Sequence, residues 1–257
     1  MQVLGGTVDT RLAVVIMAAG KGTRMNNPGI AKVMYTVAEK PMIEHVVDLA
    51  LRLDSERTVV VVGWKKESVI NHLQKAGKQV VCVAQSPQLG TGHAVMQSEK
   101  ALEGFAGDVL VLSGDVPLLS EETARALLRL HRESRAAATV LTAILDDPRG
   151  YGRVLRDSQG HVVGIVEQKD AGEQERRIRE INSGIYLFDK GRLFDGLRHI
   201  TPHNAQKEYY LTDVFQYFWR NAFPVRALAA NHPLEIRGVN TVQQLEEARE
   251  AFARRSG

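Results

Sequence analysis

The residues best able to do chemistry fall in a few short stretches. Gly20-Lys-Gly-Thr-Arg-Met25 follows an apolar run and sets Gly20 and Gly22 among Lys21 and Arg24, with Lys32 shortly after. Glycines let backbone N–H groups approach phosphate oxygens, and Lys and Arg supply the countercharge. Neither common nucleotide loop fits. Met25 stands where the third glycine of G-x-G-x-x-G belongs, and G-x-x-x-x-G-K-[ST] is absent. For this loop alone, a surface turn with solvated cations is the competing reading. Two other stretches weigh against it. Gln85-Ser-Pro-Gln-Leu-Gly-Thr-Gly-His93 carries Gly90 and Gly92, and Gly114-Asp115 puts a carboxylate directly after an apolar segment. An Asp in that place suits Mg²⁺, which takes one or two carboxylates plus substrate phosphate oxygens. The histidines form no H-E-x-x-H cluster, so no zinc site is expected.

The elements needed to position these residues alternate. Leu12–Ala18 is a continuous β-branched run, as in a parallel strand covered on both faces. Helix Met42–Leu53 opens after Pro41, strand Thr58–Val62 ends at Gly63, and helix Glu67–Lys75 precedes strand Gln79–Val83. A helix near His93–Ala101, strand Val109–Leu112 and helix Glu121–His131, capped by Ser120, complete the first half. Such alternation predicts βαβ units and a mainly parallel sheet, with ligands at the strands' C-terminal rim. The rhythm changes near residue 137. Ala138–Ile144, Arg153–Leu155, Val162–Val166 and Ile181–Leu187 read as closely spaced strands, hence an antiparallel insertion beside the parallel sheet. Helices Arg192–His199 and Leu211–Trp219, strand Val225–Ala229 and helix Val242–Arg254 follow.

Composition narrows the classes. The 257 residues, 44% hydrophobic and 25% charged, suit one globular unit, with 12–136 as a nucleotide-binding half and 137–257 as a half that completes the pocket. A net charge of +3 with dispersed Lys and Arg argues against nucleic acid as partner. Cys82 is the single cysteine, read as a buried, inert thiol in a reducing cytoplasm. No signal peptide or membrane-length apolar run is present, so the expectation is a soluble, cytoplasmic protein with no membrane partner.

Taken together, the motifs resemble a family. Ala18-Ala-Gly-Lys-Gly-Thr-Arg-Met25 looks like the signature of sugar-1-phosphate nucleotidyltransferases. Gln88-Leu-Gly-Thr-Gly-His-Ala94, Leu112-Ser-Gly-Asp-Val-Pro-Leu118, Gly150-Tyr-Gly-Arg153 and Glu180-Ile-Asn-Ser-Gly-Ile185 narrow the match. With Asn204-Ala-Gln-Lys-Glu-Tyr-Tyr-Leu-Thr-Asp213 and Gly238-Val-Asn240, they resemble the N-terminal domain of bacterial N-acetylglucosamine-1-phosphate uridylyltransferases. The resemblance implies a Rossmann-like α/β fold, a mainly parallel mixed sheet flanked by helices. It also implies the reaction of UTP with N-acetylglucosamine 1-phosphate to give UDP-N-acetylglucosamine and pyrophosphate, with Mg²⁺ as cofactor. The same chemistry on another sugar 1-phosphate or with dTTP, and a non-catalytic sugar-nucleotide scaffold, are the rival readings.

Roles follow from the resemblance. It places Arg24 and Lys32 on the phosphates as catalytic residues with Asp115. Ala18, Ala19, Gly20, Gly22, Gln85, Gly90 and Thr91 hold the nucleotide; Gly114, Gly152, Glu167, Asn182, Tyr210 and Thr212 line the sugar side; Asp115 and Asn240 hold Mg²⁺. His93 is read as a helix cap or a ligand contact, and Trp64 and Trp219 as packing residues. Ser113 stands where the family often has an aromatic, and Ala31 where it usually has proline. The hexapeptide-repeat β-helix of the bifunctional enzymes is absent from the sequence, so no acetyltransferase activity and no β-helix trimer are expected, but a monomer or weak oligomer.

Overall fold

The computed structural model describes residues 11–22, 25 and 29–256. Strand β1 (Leu12–Ala18) lies between two parallel neighbours, and its residues are buried except for half-buried Met17. A 3₁₀ turn (Lys32–Met34) and a short hairpin of β2 (Thr36–Val37) and β3 (Lys40–Pro41) lead into α1 (Met42–Arg52). Then come β4 (Arg57–Val62), α2 (Lys66–Lys75), the edge strand β5 (Val81–Ala84), α3 (Thr91–Met96) and β6 (Asp108–Ser113). Helix α4 (Glu121–Glu133) begins at Ser120, whose hydroxyl accepts from the Thr123 N–H at 3.1 Å, as a serine cap should. Half-buried Cys82 lies on β5, where burial pushes its thiol pKa up.

The second half supplies β7 (Ala138–Ile144), β8 (Arg153–Arg156), β9 (Val162–Val166), the single turn α5 (Glu173–Arg176) and the long β10 (Glu180–Asp189). Helices α6 (Lys190–Leu197) and α7 (Asp213–Arg220), strand β11 (Val225–Ala229) and α8 (Val242–Ser256) follow. Among the described residues nine strands form one sheet, ordered β11-β7-β10-β6-β1-β4-β5, with β8 on β10 and β9 on β8.

This topology corrects one expectation. Of the strands read as an antiparallel insertion, β7 belongs to the main sheet, where β11 pairs with it in parallel. β10 also lies in the main sheet and runs antiparallel to both β6 and β7. Only the β8–β9 hairpin stands off the main path. Close strand spacing with turn residues between is common to hairpins and sheet-extending strands, so it could not separate them.

The sheet divides two apolar layers by strand alternation. Val14, Ile16 and Ala18 of β1 pack with Ile43, Val46 and Val47 of α1 and Leu127 of α4; Ala13 and Val15 pack with Phe194 of α6 and Phe215 and Phe218 of α7. Helix α8 buries Leu245, Ala248 and Ala251 against Val37, Met42 and Val239, forming a third cluster. Strands β1, β4, β5 and β6 end side by side at Ala18, Val62, Ala84 and Ser113, which creates the rim for the glycine loops.

Candidate active site

A cavity of about 490 Å³ opens on this rim, walled by Ala18, Ala19, Gly20, Lys32, Gln85, Gly90, Thr91 and Asp115, with Lys21, Gln88, Ser113 and Glu208 beside them. Its size falls within the range of small-molecule pockets. Arg24 lies outside the described residues, so its assignment rests on the motif alone.

Lys32 opens the 3₁₀ turn after β1 and reaches back across the rim. Its ammonium donates to Asp115 Oδ2 and to Asn240 Oδ1, the latter at 3.0 Å. Gly22, in the left-handed region at φ 63°, packs on its stem: a Cβ there would stand 2.5 Å from Lys32 Cβ. Asp115 follows β6, and its carbonyl accepts from the Val239 N–H at 2.9 Å, docking the 238–240 segment beside it. Gly238 lies beside both residues, where a Cβ would be in ordinary contact with Asp115 Oδ2 at 3.5 Å. Asp115 and Asn240 thus present a carboxylate oxygen and an amide oxygen to one cation. Two hard oxygens are few for a metal held by protein alone, but they fit Mg²⁺, which takes its remaining ligands from water and phosphates. No cluster of three or more His, Cys, Asp or Glu residues able to hold a metal occurs among the described residues.

On the nucleotide side, Gln85 is buried, and its amide Nε2 donates to the Gly90 carbonyl at 2.9 Å. The same nitrogen lies 3.1 Å from His93 Nδ1. Burial lowers the His93 pKa, keeping the ring neutral. His93 therefore braces Gln85 from inside α3; it does not cap that helix, whose N-cap position is Gly90. Gly90 (φ 104°) tolerates no side chain, because a Cβ would meet the Tyr209 carbonyl at 2.6 Å. Around it the Tyr209 N–H donates to the Leu89 carbonyl at 2.8 Å and the Gly92 N–H to the Tyr209 carbonyl at 2.7 Å. Thr91 Oγ1 accepts from the Leu211 N–H at 3.0 Å. These bonds tie residues 89–92, assigned by motif to the nucleotide, to residues 209–211, next to those assigned to the sugar.

There, Gly152, Glu167 and Asn182 converge: a Cβ on Gly152 would stand 3.4 Å from both Glu167 Oε2 and Asn182 Cβ. The Thr212 hydroxyl donates to Glu167 Oε1 at 3.1 Å, and the Asn182 N–H donates to the Gly152 carbonyl at 2.9 Å. Burial raises the Glu167 pKa, aided by the carboxylates of Asp213 and Asp170. Asn182 donates through Nδ2 to Tyr186 Oη at 2.7 Å and accepts the Gly184 N–H. Buried Tyr210 gives its hydroxyl to Asp170 at 3.2 Å, and burial pushes its pKa up to about 12. Gly114 donates its N–H to the Met17 carbonyl at 2.9 Å and lies against Val33 and Ile43, between the cavity residues Ser113 and Asp115.

Sequence reasoning missed Gln88 and Glu208 as wall residues. Gln88 lay inside a quoted motif, and its Nε2 donates to the Ala19 carbonyl at 2.8 Å. Glu208 lay inside the quoted Asn204–Asp213 motif, and the pairing of residues 89–92 with 209–211 brings it to the wall. Trp64 packs at the rim with the ammonium groups of Lys21 and Lys65 near its face, whereas Trp219 on α7 is exposed.

The sequence profile of the nucleotidyl transferase family matches residues 13–232. The chain belongs to this family. It is 45% identical over 244 residues to the bifunctional protein GlmU of Pelotomaculum thermopropionicum, covering 95% of this chain and 52% of that one. It is 49% identical to the GlmU protein of Geobacillus thermodenitrificans, covering 91% and 50%. The chain thus spans about half the length of the curated relatives it matches. In fold, this nucleotidyl transferase is similar to a putative glucose-1-phosphate thymidylyltransferase from Bacillus anthracis (TM-score 0.75, 22% identity, 95% of each chain). It is equally similar to a UDP-glucose pyrophosphorylase complexed with UDP-glucose (TM-score 0.75, 19% identity, 95% and 99%). No helix among the described residues is long and apolar enough to cross a membrane.

Proposed function

We propose that this nucleotidyl transferase moves uridylyl from UTP to N-acetylglucosamine 1-phosphate, releasing pyrophosphate. The observation that carries the reading is a cavity that joins glycine backbone and amides to a lysine held between a carboxylate and an amide. The 45% identity to a GlmU protein over 244 residues supports the same chemistry.

A phosphate oxygen of the sugar 1-phosphate attacks the α-phosphorus of UTP in line. One oxygen–phosphorus bond forms as the bond to the β-phosphate's bridging oxygen breaks, and pyrophosphate leaves with the electron pair. The attacking phosphate is already anionic near neutral pH, so no general base is required. Catalysis then rests on holding the two anions together and neutralising their charge. Lys32 supplies one positive charge at the α-phosphate, with Arg24 assigned to the phosphates by its motif. Gly20 and Gly22 let backbone N–H groups approach. Gln85 reads the base edge through its amide, oriented by Gly90 and His93. Glu167 accepts from sugar hydroxyls, and Asn182 and Gly152 set the sugar's orientation. Asp115 and Asn240 would hold Mg²⁺, which would screen charge on the triphosphate.

Pyrophosphate release from UTP, dTTP, ATP and GTP against N-acetylglucosamine, glucose and N-acetylgalactosamine 1-phosphates tests the reading. Release is expected chiefly from UTP with N-acetylglucosamine 1-phosphate, and Asp115→Asn should abolish it. A different preferred pair would overturn the substrate assignment, and no release by folded protein would favour a binding scaffold.

A further inference from the structure

Arg153 is a fully buried side chain, 1% exposed, yet no ion pair joins it to a carboxylate among the described residues. Its acceptors are neutral. Nη1 donates to the Tyr151 carbonyl, while Nη2 donates to Gln168 Oε1 at 3.0 Å and, more weakly, to the Arg176 carbonyl at 3.5 Å. Nε has no hydrogen-bond partner among the described residues. Burial lowers the guanidinium pKa, and nearby Arg176 adds to that; Asp147 opposes it. Burying a cation without an anion is costly, and an apolar side chain on β8 would avoid that cost. What the guanidinium supplies is a planar fork that grips two acceptors at fixed geometry.

The positions of those acceptors give the fork its use. Tyr151 directly precedes Gly152, and Gln168 directly follows Glu167. Gln168 Oε1 also accepts the Gly150 N–H at 3.1 Å, so one amide oxygen gathers both the 150–152 loop and Arg153. The β8–β9 pairing stops at Arg153 and Val166, and beyond it Gly152 is tied to β10 through the Asn182 N–H and Glu167 to Thr212, but neither bond joins the two residues to each other. Gly152 and Glu167 both lie just beyond the ladder.

We propose that Arg153 is a positioning residue for the sugar phosphate, fixing the gap between Gly152 and Glu167 by clamping Tyr151 and Gln168. The inference rests on the sugar-side reading of Gly152, Glu167 and Asn182. It assigns Arg153 no contact with substrate.

The test is initial-rate kinetics on the full chain with wild type, Arg153→Met, Arg153→Lys, Gln168→Leu and the Arg153→Met/Gln168→Leu double variant. Amide exchange is measured alongside. Arg153→Met should raise KM for the sugar 1-phosphate about tenfold, the scale of one lost charge-assisted hydrogen bond, and move KM for UTP by no more than about twofold. Gln168→Leu should shift the same KM in the same direction, and the double variant should be no worse than Arg153→Met, because both lose one clamp. Arg153→Lys should rescue in part, since an ammonium spans one acceptor but lacks the fork. Exchange should quicken at 150–152 and 167–168 while 85–92 stays as in wild type. Equal shifts in both KM values, or a lowered Tm with unchanged exchange in those segments, would overturn the inference. If Arg153→Met does not fold, Gln168→Leu decides by the same criteria. Wild type inactive on every sugar 1-phosphate would sink the functional reading and this inference with it. An active wild type without the KM split sinks the inference alone.

Discussion

Replacing Lys32 by Met should let a divalent cation into the site without nucleotide. Met keeps an aliphatic stem against Gly22, where a Cβ would come within 2.5 Å of Lys32 Cβ, and removes only the ammonium. That ammonium holds Asp115 and Asn240, with side chains of Lys32 and Asp115 only 15% and 14% exposed. A metal using the same two oxygens must first break both bonds. Hydrogen bonds to charged groups contribute about 1.5–3 kcal/mol each, and one of that size converts to roughly 10- to 100-fold in affinity. The nucleotide-free Lys32→Met protein should therefore bind Mn²⁺ about 10- to 100-fold more tightly than wild type by calorimetry or electron paramagnetic resonance. UTP should shrink the difference, because its phosphates draw the wild-type ammonium off the pair. Turnover of the variant should fall by about 100-fold from the lost charge at the α-phosphate. Equal Mn²⁺ affinity of the two nucleotide-free proteins would refute the reasoning, since the ammonium would then not compete for the cation position.

Two other changes have readable outcomes. Gly90→Ala puts a Cβ 2.6 Å from the Tyr209 carbonyl at φ 104°. Strain of this kind costs about 1–3 kcal/mol. KM for UTP should rise about tenfold or more with the loop pushed off residues 209–211, and wild-type kinetics would show that the close approach is not needed. Asp213 has its pKa raised from 3.8 to about 6, by burial and then by Asp170. The folded state holds that proton more tightly than the unfolded chain, so the stabilisation is present below about pH 4 and is lost as pH rises through about 6. Asp213→Asn should accordingly raise Tm near pH 8 and lose that advantage near pH 4 in calorimetric scans, and a constant offset across pH would contradict the sign.

The first half was readable because burial leaves a local imprint there. β1 is a central parallel strand and shows as an unbroken apolar run, and α4 carries its serine cap in the residue before it. Edges were less legible. β5 starts at Val81 with its side chain exposed, so the reading began it at Gln79. α3 ends at Met96 and gives way to a 3₁₀ turn at Lys100–Leu102, a break that apolar spacing does not mark. The parallel pairing of β11 with β7 depends on helices that intervene between them, which no local pattern encodes. In the site, glycines and charged residues announced themselves by type. Residues that act by holding others did not: His93 behind Gln85 and Arg153 between Tyr151 and Gln168 became legible only from geometry.

Direct transfer of uridylyl to the sugar phosphate, with the triphosphate held by the rim, leaves an isotopic trace. It is tested by running the wild-type protein with UTP and N-acetylglucosamine 1-phosphate labelled with ¹⁸O in its phosphate, then reading both products by mass spectrometry. All label should appear in UDP-N-acetylglucosamine and none in pyrophosphate. Label in pyrophosphate, or no UDP-sugar from folded protein, would contradict it.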